Sequence, residues 1–300
     1  MAYDAQPSGS ETTDGNQGLS PYAACPRGTP GACAFGDAIV RQGDASVHRC
    51  GACGHGVTRP SMPDVRVLYE GRASQDYQGK DGRLARAIKQ MVFDRQARAL
   101  VRQLPKDIDT AYDFGCGSGA FTGALATHLP GRTIGLDFFD APPPGLGADA
   151  YRSFEQAESL GPADLVTLFH VLEHDDDPLS LLRRAGRLLR AGGTLVVEVP
   201  NMDAVGGRVL GAAWDNWYLP YHRTHFSAES LTALLERDGY HVRAVEPVCV
   251  PSLGRSAARL LGQTNRLPFL LGGAALHPLQ QIAETVTKRP TALRVIATSA

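Results

Sequence analysis

The chain carries almost no net charge. Thirty lysines and arginines face 31 aspartates and glutamates, which leaves a formal charge of −1. That balance removes any global pull toward nucleic acid or an acidic membrane. Long apolar runs are also missing. The longest uncharged stretch, Leu267 to Ala283, holds Gly272-Gly273, Pro278 and two glutamines, so it does not read as a membrane span. The start has neither a basic end nor an apolar core, so no secretory signal is expected there. Residues 1–20 are rich in Gly, Ser, Thr, Asp and Gln and are expected to form a disordered tail. A cytosolic, cytoplasmic protein is the expectation. The six cysteines are not spread as a disulfide framework would be. Cys25, Cys33, Cys50 and Cys53 bunch in the first fifth, with Cys116 and Cys249 apart. In a reducing compartment, bunched cysteines point to a metal before disulfides. Three hundred residues suit one large domain, or a domain plus a small module.

What is present is a glycine-rich stretch, Ala111-Tyr-Asp-Phe-Gly-Cys-Gly-Ser-Gly-Ala-Phe-Thr122. Tyr112 and Phe114 read as the end of a buried strand. Gly115, Gly117 and Gly119 follow, and Phe121 to Leu129 reads as a helix. Strand, glycine turn and helix open a nucleotide-binding βαβ unit. About twenty residues on, Thr133-Ile-Gly-Leu-Asp137 ends a second strand with an acid that can accept bonds from both ribose hydroxyls. The glycine spacing alone leaves a dinucleotide open. Asp113, two residues before the first glycine, argues otherwise. A carboxylate there suits a ligand with an ammonium and a sulfonium, and is poor company for a pyrophosphate.

In its Asp-x-Gly-x-Gly-x-Gly form the stretch resembles the first motif of class I S-adenosylmethionine (SAM)-dependent methyltransferases. The resemblance implies a doubly wound, seven-stranded Rossmann-like α/β sheet. It implies that SAM lies against Asp113, Gly115, Cys116, Gly117, Gly119 and Asp137. The adenine is then expected between Phe138 and the residues near Phe154. Glu155 lies in the neighbourhood of its amino group, but reads as a solvated surface acid before an adenine contact.

Cys50-Gly-Ala-Cys53-Gly54 forms a zinc knuckle, two thiolates across a tight turn. Its expected partners are Cys25 and Cys33, with Pro26 to Ala32 looped out between them. His48 and His55 are possible substitutes. A four-thiolate site is coordinatively full, so this zinc reads as a staple, not a reaction centre. The expected division is a zinc-binding module over 21–64 and a methyltransferase domain over 65–300. A Cys-x-x-Cys-Gly knuckle, the proline-bearing Thr58-Arg-Pro-Ser-Met-Pro63, then Tyr69 and Tyr77 resemble one branch of the methyltransferases. That branch carries a cysteine-rich N-terminal module and includes sugar C-methyltransferases of natural-product pathways. The resemblance implies that Tyr77 closes over the active site; an ordinary packed tyrosine is the alternative. Arg83 to Gln103 reads as a helix with Leu84, Ile88, Met91 and Val92 on one face. Its basic remainder either meets a phosphate-bearing acceptor, such as a nucleotide sugar, or is simply solvated.

Asp164-Leu-Val-Thr-Leu-Phe-His-Val-Leu-Glu-His174 is the second informative stretch. Leu165 to Phe169 is nearly continuous apolar strand, as a central parallel strand requires. Phe169 and His170 at its end are assigned to the cofactor. Glu173 reads as a loop brace, and His174 as active-site wall or brace. Val-Leu-Glu-His followed by Asp176-Asp-Pro178 again resembles the family. Leu179 to Leu189 reads as a helix ended by Gly192-Gly193, and Thr194 to Val199 as a strand. An irregular aromatic loop follows, Trp214 to Phe226. It carries His225, the first candidate for general base, and His222, a reserve base or acceptor-binding group. Structural packing of both histidines is the alternative. Ser227 caps a helix to Arg237. His241 to Val250 and Ala292 to Ala297 are the last strands, the final one antiparallel in the family. Pro251 to Pro290 is expected to be helical and to cover the substrate side. The expected activity is methyl transfer from SAM to a small-molecule acceptor, a sugar or natural-product hydroxyl or carbon. An RNA or protein methyltransferase that uses the zinc module as a reader, and a SAM-binding protein without catalysis, are the alternatives. Nucleic acid is the less favoured partner, given the neutral charge balance.

Overall fold

The computed structural model describes residue 26 and residues 33–62, 64–68, 83–263 and 267–300. Cys25, Tyr69 and Tyr77 lie outside the described residues. From the N-terminus, β1 spans Phe35–Gln42, β2 Ala45–Cys50 and β3 Gly56–Arg59. Helix α1, Arg83–Val101, leads into β4, Thr110–Phe114, and α2, Ala120–Ala126. Strands β5, Arg132–Asp137, and β6, Tyr151–Ser153, precede the short α3, Phe154–Ala157. Then come β7, Ala163–Phe169, α4, Pro178–Gly186, and β8, Leu189–Pro200. Helix α5, Val205–Leu210, the two-residue β9, Thr224–His225, and α6, Ala228–Arg237, follow. The chain closes with β10, His241–Val248, α7, Leu253–Leu260, α8, Leu267–Thr287, and β11, Ala292–Thr298.

Seven strands form one sheet in the order β10-β11-β8-β7-β4-β5-β6. The pairs from β6 through β8 are parallel, and β11 runs antiparallel between β8 and β10. The chain steps outward from β4 to β6, then returns to lay β7 on the other side of β4. That reversal opens a crevice at the carboxyl ends of β4 and β7. Both faces of the sheet are covered, which is why β7 is apolar on both sides. Leu165 and Val196 pack with Leu100, Phe121 and Leu125 on one face. Val166, Leu168 and Val197 pack with Leu182, Leu231 and Leu234 on the other.

Three expectations need correction. Met91 and Val92 of α1 are exposed, and the buried side of that helix is Ala97 and Leu100. Helix α4 stops at Gly186, not Leu189, because the sheet takes the next backbone: Leu188 O accepts from Ala163 N, and Leu189 pairs with Ala163. Gly192 does adopt a left-handed φ of +69, but within an irregular start to β8 and not as a helix cap.

The N-terminal strands are antiparallel, and their sheet is completed from far along the chain. Its order is β1-β2-β3-β9, with Gly56 opposite His225 and Val57 opposite Thr224. The histidine loop is therefore the edge strand of the N-terminal sheet. Arg223, buried beside it, donates to Asp176 Oδ1 and to the carbonyls of Thr58 and Pro60. It ties the N-terminal strands to the loop after β7. Among the described residues, no helix is long and apolar enough to cross a membrane.

Candidate active site

A cavity of about 610 Å³ occupies the crevice. One wall is the glycine turn: Asp113, Gly115, Cys116, Gly117 and Ser118. Phe169 and His170 at the end of β7, with Glu198 and Pro200 of β8, form the floor. Val92, Phe93 and Gln96 of α1 lie on one side. Asp215, Asn216, Tyr218 and His222 face them from the histidine loop, next to Val250, Pro251 and Arg255.

The glycines are required in different ways. Gly115, Gly117 and Gly119 all have left-handed φ, at +77, +53 and +73. A Cβ at Gly115 would come within 2.5 Å of Val171, whereas one at Gly117 meets nothing within 4 Å. Gly117 thus borders open cavity. Gly117→Ala should cost about 1–2 kcal/mol of stability for the left-handed residue, and, if SAM lies along this turn as the motif implies, the added methyl should weaken its binding far more. Thermal melts and calorimetry will separate the two effects; unaltered SAM affinity would show that no ligand approaches this glycine.

The two motif acids hold the turn. Asp137 accepts from Gly117 N and Phe138 N, both at 2.8 Å. Asp113 is buried and accepts from the hydroxyls of Thr122 at 2.6 Å and Thr167 at 2.8 Å. Neither threonine was singled out in the sequence, although both sit on predicted elements beside the motif. Burial raises the Asp113 carboxyl to about 6, with Asp137 adding to the rise. A raised carboxyl favours folding while protonated, and that contribution is lost as pH climbs from about 4 through about 6. Asp113→Asn should therefore remove a downward slope in stability across that window, of at most about 1.4 kcal/mol per pH unit. Parallel slopes in denaturant titrations of the two proteins would refute this. Asp137 and Phe138 are not among the cavity-lining residues.

His170 has a left-handed φ of +56, rare for a non-glycine residue. Its Nδ1 lies 3.2 Å from Glu173 Oε1 and its Nε2 3.3 Å from Glu198 Oε1. Burial alone would lower this imidazole, but the two carboxylates lift it to about 10. Glu198 in turn meets Arg294 across the β8–β11 pairing, at 2.6 Å and 2.8 Å. Glu198 and Arg294 went unremarked in the sequence, yet Arg294 is the lone charge of β11 and Glu198 the lone charge of the apolar run from Thr194 to Pro200. That is the signal that could have found them.

His222 is buried in the cavity wall. Its Nδ1 sits 2.9 Å from Asn216 O, and burial holds its pKa well below the usual value. His174 packs edge-on against it, ring centroids 4.8 Å apart, with Nδ1 at 3.2 Å from Tyr221 O. His225 does not line the cavity. Its Nε2 is 2.9 Å from Thr58 Oγ1, its ring lies edge-on to Trp217, and burial lowers its pKa to about 3. Being on β9, it is turned into the N-terminal sheet. Of the catalytic candidates, the structure brings His174 and His222 together, beside Glu173, expected as a brace, and His170, expected at the cofactor, and it sets His225 behind them.

A second cluster lies in the N-terminal sheet. Cys33, Cys50 and Cys53 offer sulfurs within 4.8 Å of one another, and the Cys33–Cys53 distance is 3.6 Å. Tetrahedral zinc thiolates stand about 3.8 Å apart, so the set fits zinc. His48 is taken by Ser46 Oγ and Gly36 O. His55 is buried without a hydrogen-bond partner on either ring nitrogen and packs on Phe226. Neither histidine joins the sulfurs.

A family model described as a methyltransferase domain matches residues 83–245, more than half of the chain. The chain belongs to this methyltransferase family. The matched span holds the glycine turn, the end of β7 and the whole histidine loop. Its seven-stranded order with an antiparallel β11 is the Rossmann-like fold of the class I, SAM-dependent members. A probable SAM-dependent methyltransferase of Mycolicibacterium smegmatis is 31% identical over 136 residues, covering 43% of this chain and 50% of the relative. The ubiquinone biosynthesis O-methyltransferase of Pseudomonas paraeruginosa is 32% identical over 126 residues, 37% of this chain and 53% of the relative. The trans-aconitate 2-methyltransferase of Deinococcus radiodurans is 36% identical over 145 residues, 46% of this chain and 53% of the relative. The chain thus spans about half the length of the curated relatives it matches.

Proposed function

We propose that this chain transfers the methyl group of SAM to a small-molecule acceptor, a sugar or natural-product hydroxyl or carbon. One observation carries the reading: the glycine turn and the histidine loop face each other across a single cavity of about 610 Å³. That volume suits the methionine end of the cofactor plus a small acceptor. The methionine end of SAM lies along Gly115, Cys116 and Gly117 toward Phe169 and His170. Gly119 lets the turn close, Asp137 takes the ribose and Phe138 the adenine. Asp113 contributes by holding Thr122 and Thr167 in place beneath the turn. The acceptor lies toward Asn216, Tyr218 and Arg255. His222 is the imidazole on that side, and it takes the proton when a hydroxyl or carbon acid is methylated. His225 supports it from behind through Thr58, which donates to His222 O. His174 packs on the ring of His222.

Calorimetry with SAM, its demethylated product and NAD tests the reading. SAM and product should bind in the micromolar range and NAD should not. Binding of NAD without SAM would overturn it.

Zinc held by Cys25, Cys33, Cys50 and Cys53 staples the N-terminal module, whose β3 pairs with β9 of the domain. The short sulfur–sulfur distance and the pairing of β3 with β9 support this. One zinc per chain is expected by elemental analysis. Chelation should lower the melting temperature and loosen the histidine loop, because that loop supplies an edge strand of the same sheet. Full stability after verified zinc removal would rule the staple out.

A further inference from the structure

The histidine–glutamate cluster beside the cavity has the chemistry of a cation site. Glu173, His174 and His222 each offer one ligand atom, and these lie within 4.8 Å of one another. Glu173 is 1% exposed, and its Oε2 has no hydrogen-bond partner. Its other oxygen lies 3.2 Å from His170 Nδ1. A buried carboxylate oxygen left without a donor is costly, and a positive ion is the natural way to satisfy it.

The two rings are held as ligands are. His222 places Nδ1 against the Asn216 carbonyl, which makes Nε2 the lone-pair nitrogen. That Nε2 lies 3.8 Å from Glu173 Oε1. His174 places Nδ1 against the Tyr221 carbonyl. Carbonyls that fix the far ring nitrogen are the usual support of metal-binding histidines. Donors around an ion at about 2.1 Å stand roughly 3–4 Å apart, so small ring shifts would complete the set.

We propose that Glu173, His174 and His222 bind a divalent first-row transition cation that receives the acceptor's oxygen. Two imidazoles and one carboxylate suit zinc, iron(II) or manganese(II). Three protein ligands leave positions open, and His222 borders the cavity. This rests on the methyl-transfer reading and narrows its acceptor to a hydroxyl. A hydroxyl on the cation releases its proton to solvent at a lower pH than it would alone. The oxygen anion then attacks the methyl carbon. An O–C bond forms as the C–S bond breaks, and that electron pair stays on sulfur as the neutral thioether product. Nothing is oxidised or reduced. In this form His222 activates the acceptor through the ion instead of taking the proton itself.

The test uses the full chain, dialysed until metal analysis gives no more than one zinc per chain so that only the cysteine set retains it, with Mn²⁺ as probe and electron paramagnetic resonance as readout. Thiolates disfavour Mn²⁺, so the cysteine cluster stays silent. One Mn²⁺ per chain is expected. Glu173→Gln and His222→Ala should each weaken it about ten-fold or more, and His241→Ala, remote on β10, should not. No bound Mn²⁺, or equal affinity in all variants, would overturn the site. Glu173→Gln keeps the shape of the side chain, so it remains informative if His222→Ala fails to fold. Calorimetry with the demethylated product separates the two readings. Product binding without Mn²⁺ sinks the cation site alone, and Mn²⁺ binding without product sinks the methyl-transfer reading alone.

Discussion

Replacing His222 by alanine should cut turnover about 10²-fold or more while SAM affinity stays within a few-fold. The separation follows from the cavity. SAM is assigned to the glycine-turn wall, and His222 stands on the opposite side with its Nδ1 fixed by Asn216 O. Burial lowers its pKa well below the usual value and keeps the ring neutral, which leaves the Nε2 lone pair available in either role proposed for it, as base or as ligand. His225→Ala is the informative contrast. Its ring is buried, its Nε2 is spent on Thr58, and it belongs to the edge of the N-terminal sheet. Its loss should cost about 1–3 kcal/mol of stability, through the space left beside Trp217 and the lost hydrogen bond to Thr58 Oγ1, with little change in turnover per folded molecule. A turnover loss confined to His225→Ala would reverse the assignment.

The two histidines show where sequence reading stops. The interval His222-Arg-Thr-His225 announces chemistry, and the surrounding aromatics announce a cavity. Which ring faces that cavity depends on a partner more than 160 residues away: β3 captures Thr224 and His225 as a strand, through pairs such as Gly56 with His225. No local pattern encodes that capture. The sheet itself was far more legible. The nearly continuous apolar run from Leu165 to Phe169, interrupted only by Thr167, reads as a strand covered on both faces, and the glycine turn fixes where the first βα unit begins. The start of β8 was misread for a definable reason. Gly192-Gly193 has the residues of a helix cap, but Leu189 is already bonded to β7 before the glycines are reached. Of the four bunched cysteines, the three among the described residues do converge, as their bunching suggested.

Arg294→Met should destabilise the fold by about 3–5 kcal/mol, the cost of leaving a buried charge without its partner. Glu198 is almost wholly enclosed, and Arg294 makes two short contacts to its Oε2. His170 remains on the other oxygen, but it is half open to the cavity and cannot replace a guanidinium across the sheet. The loss should be much smaller in the double variant Glu198→Gln, Arg294→Met, because no buried charge is then left alone. The effect should also reach the site. Glu198 is one of two carboxylates that hold His170 in its left-handed conformation at the cavity floor. With Arg294 gone, Glu198 shifts toward protonation, its grip on His170 weakens, and product affinity should fall along with stability. Denaturant midpoints for both single variants and the double, beside calorimetry on each, decide the matter. If the double variant is as unstable as Arg294→Met alone, the cost lies in packing and not in the stranded charge.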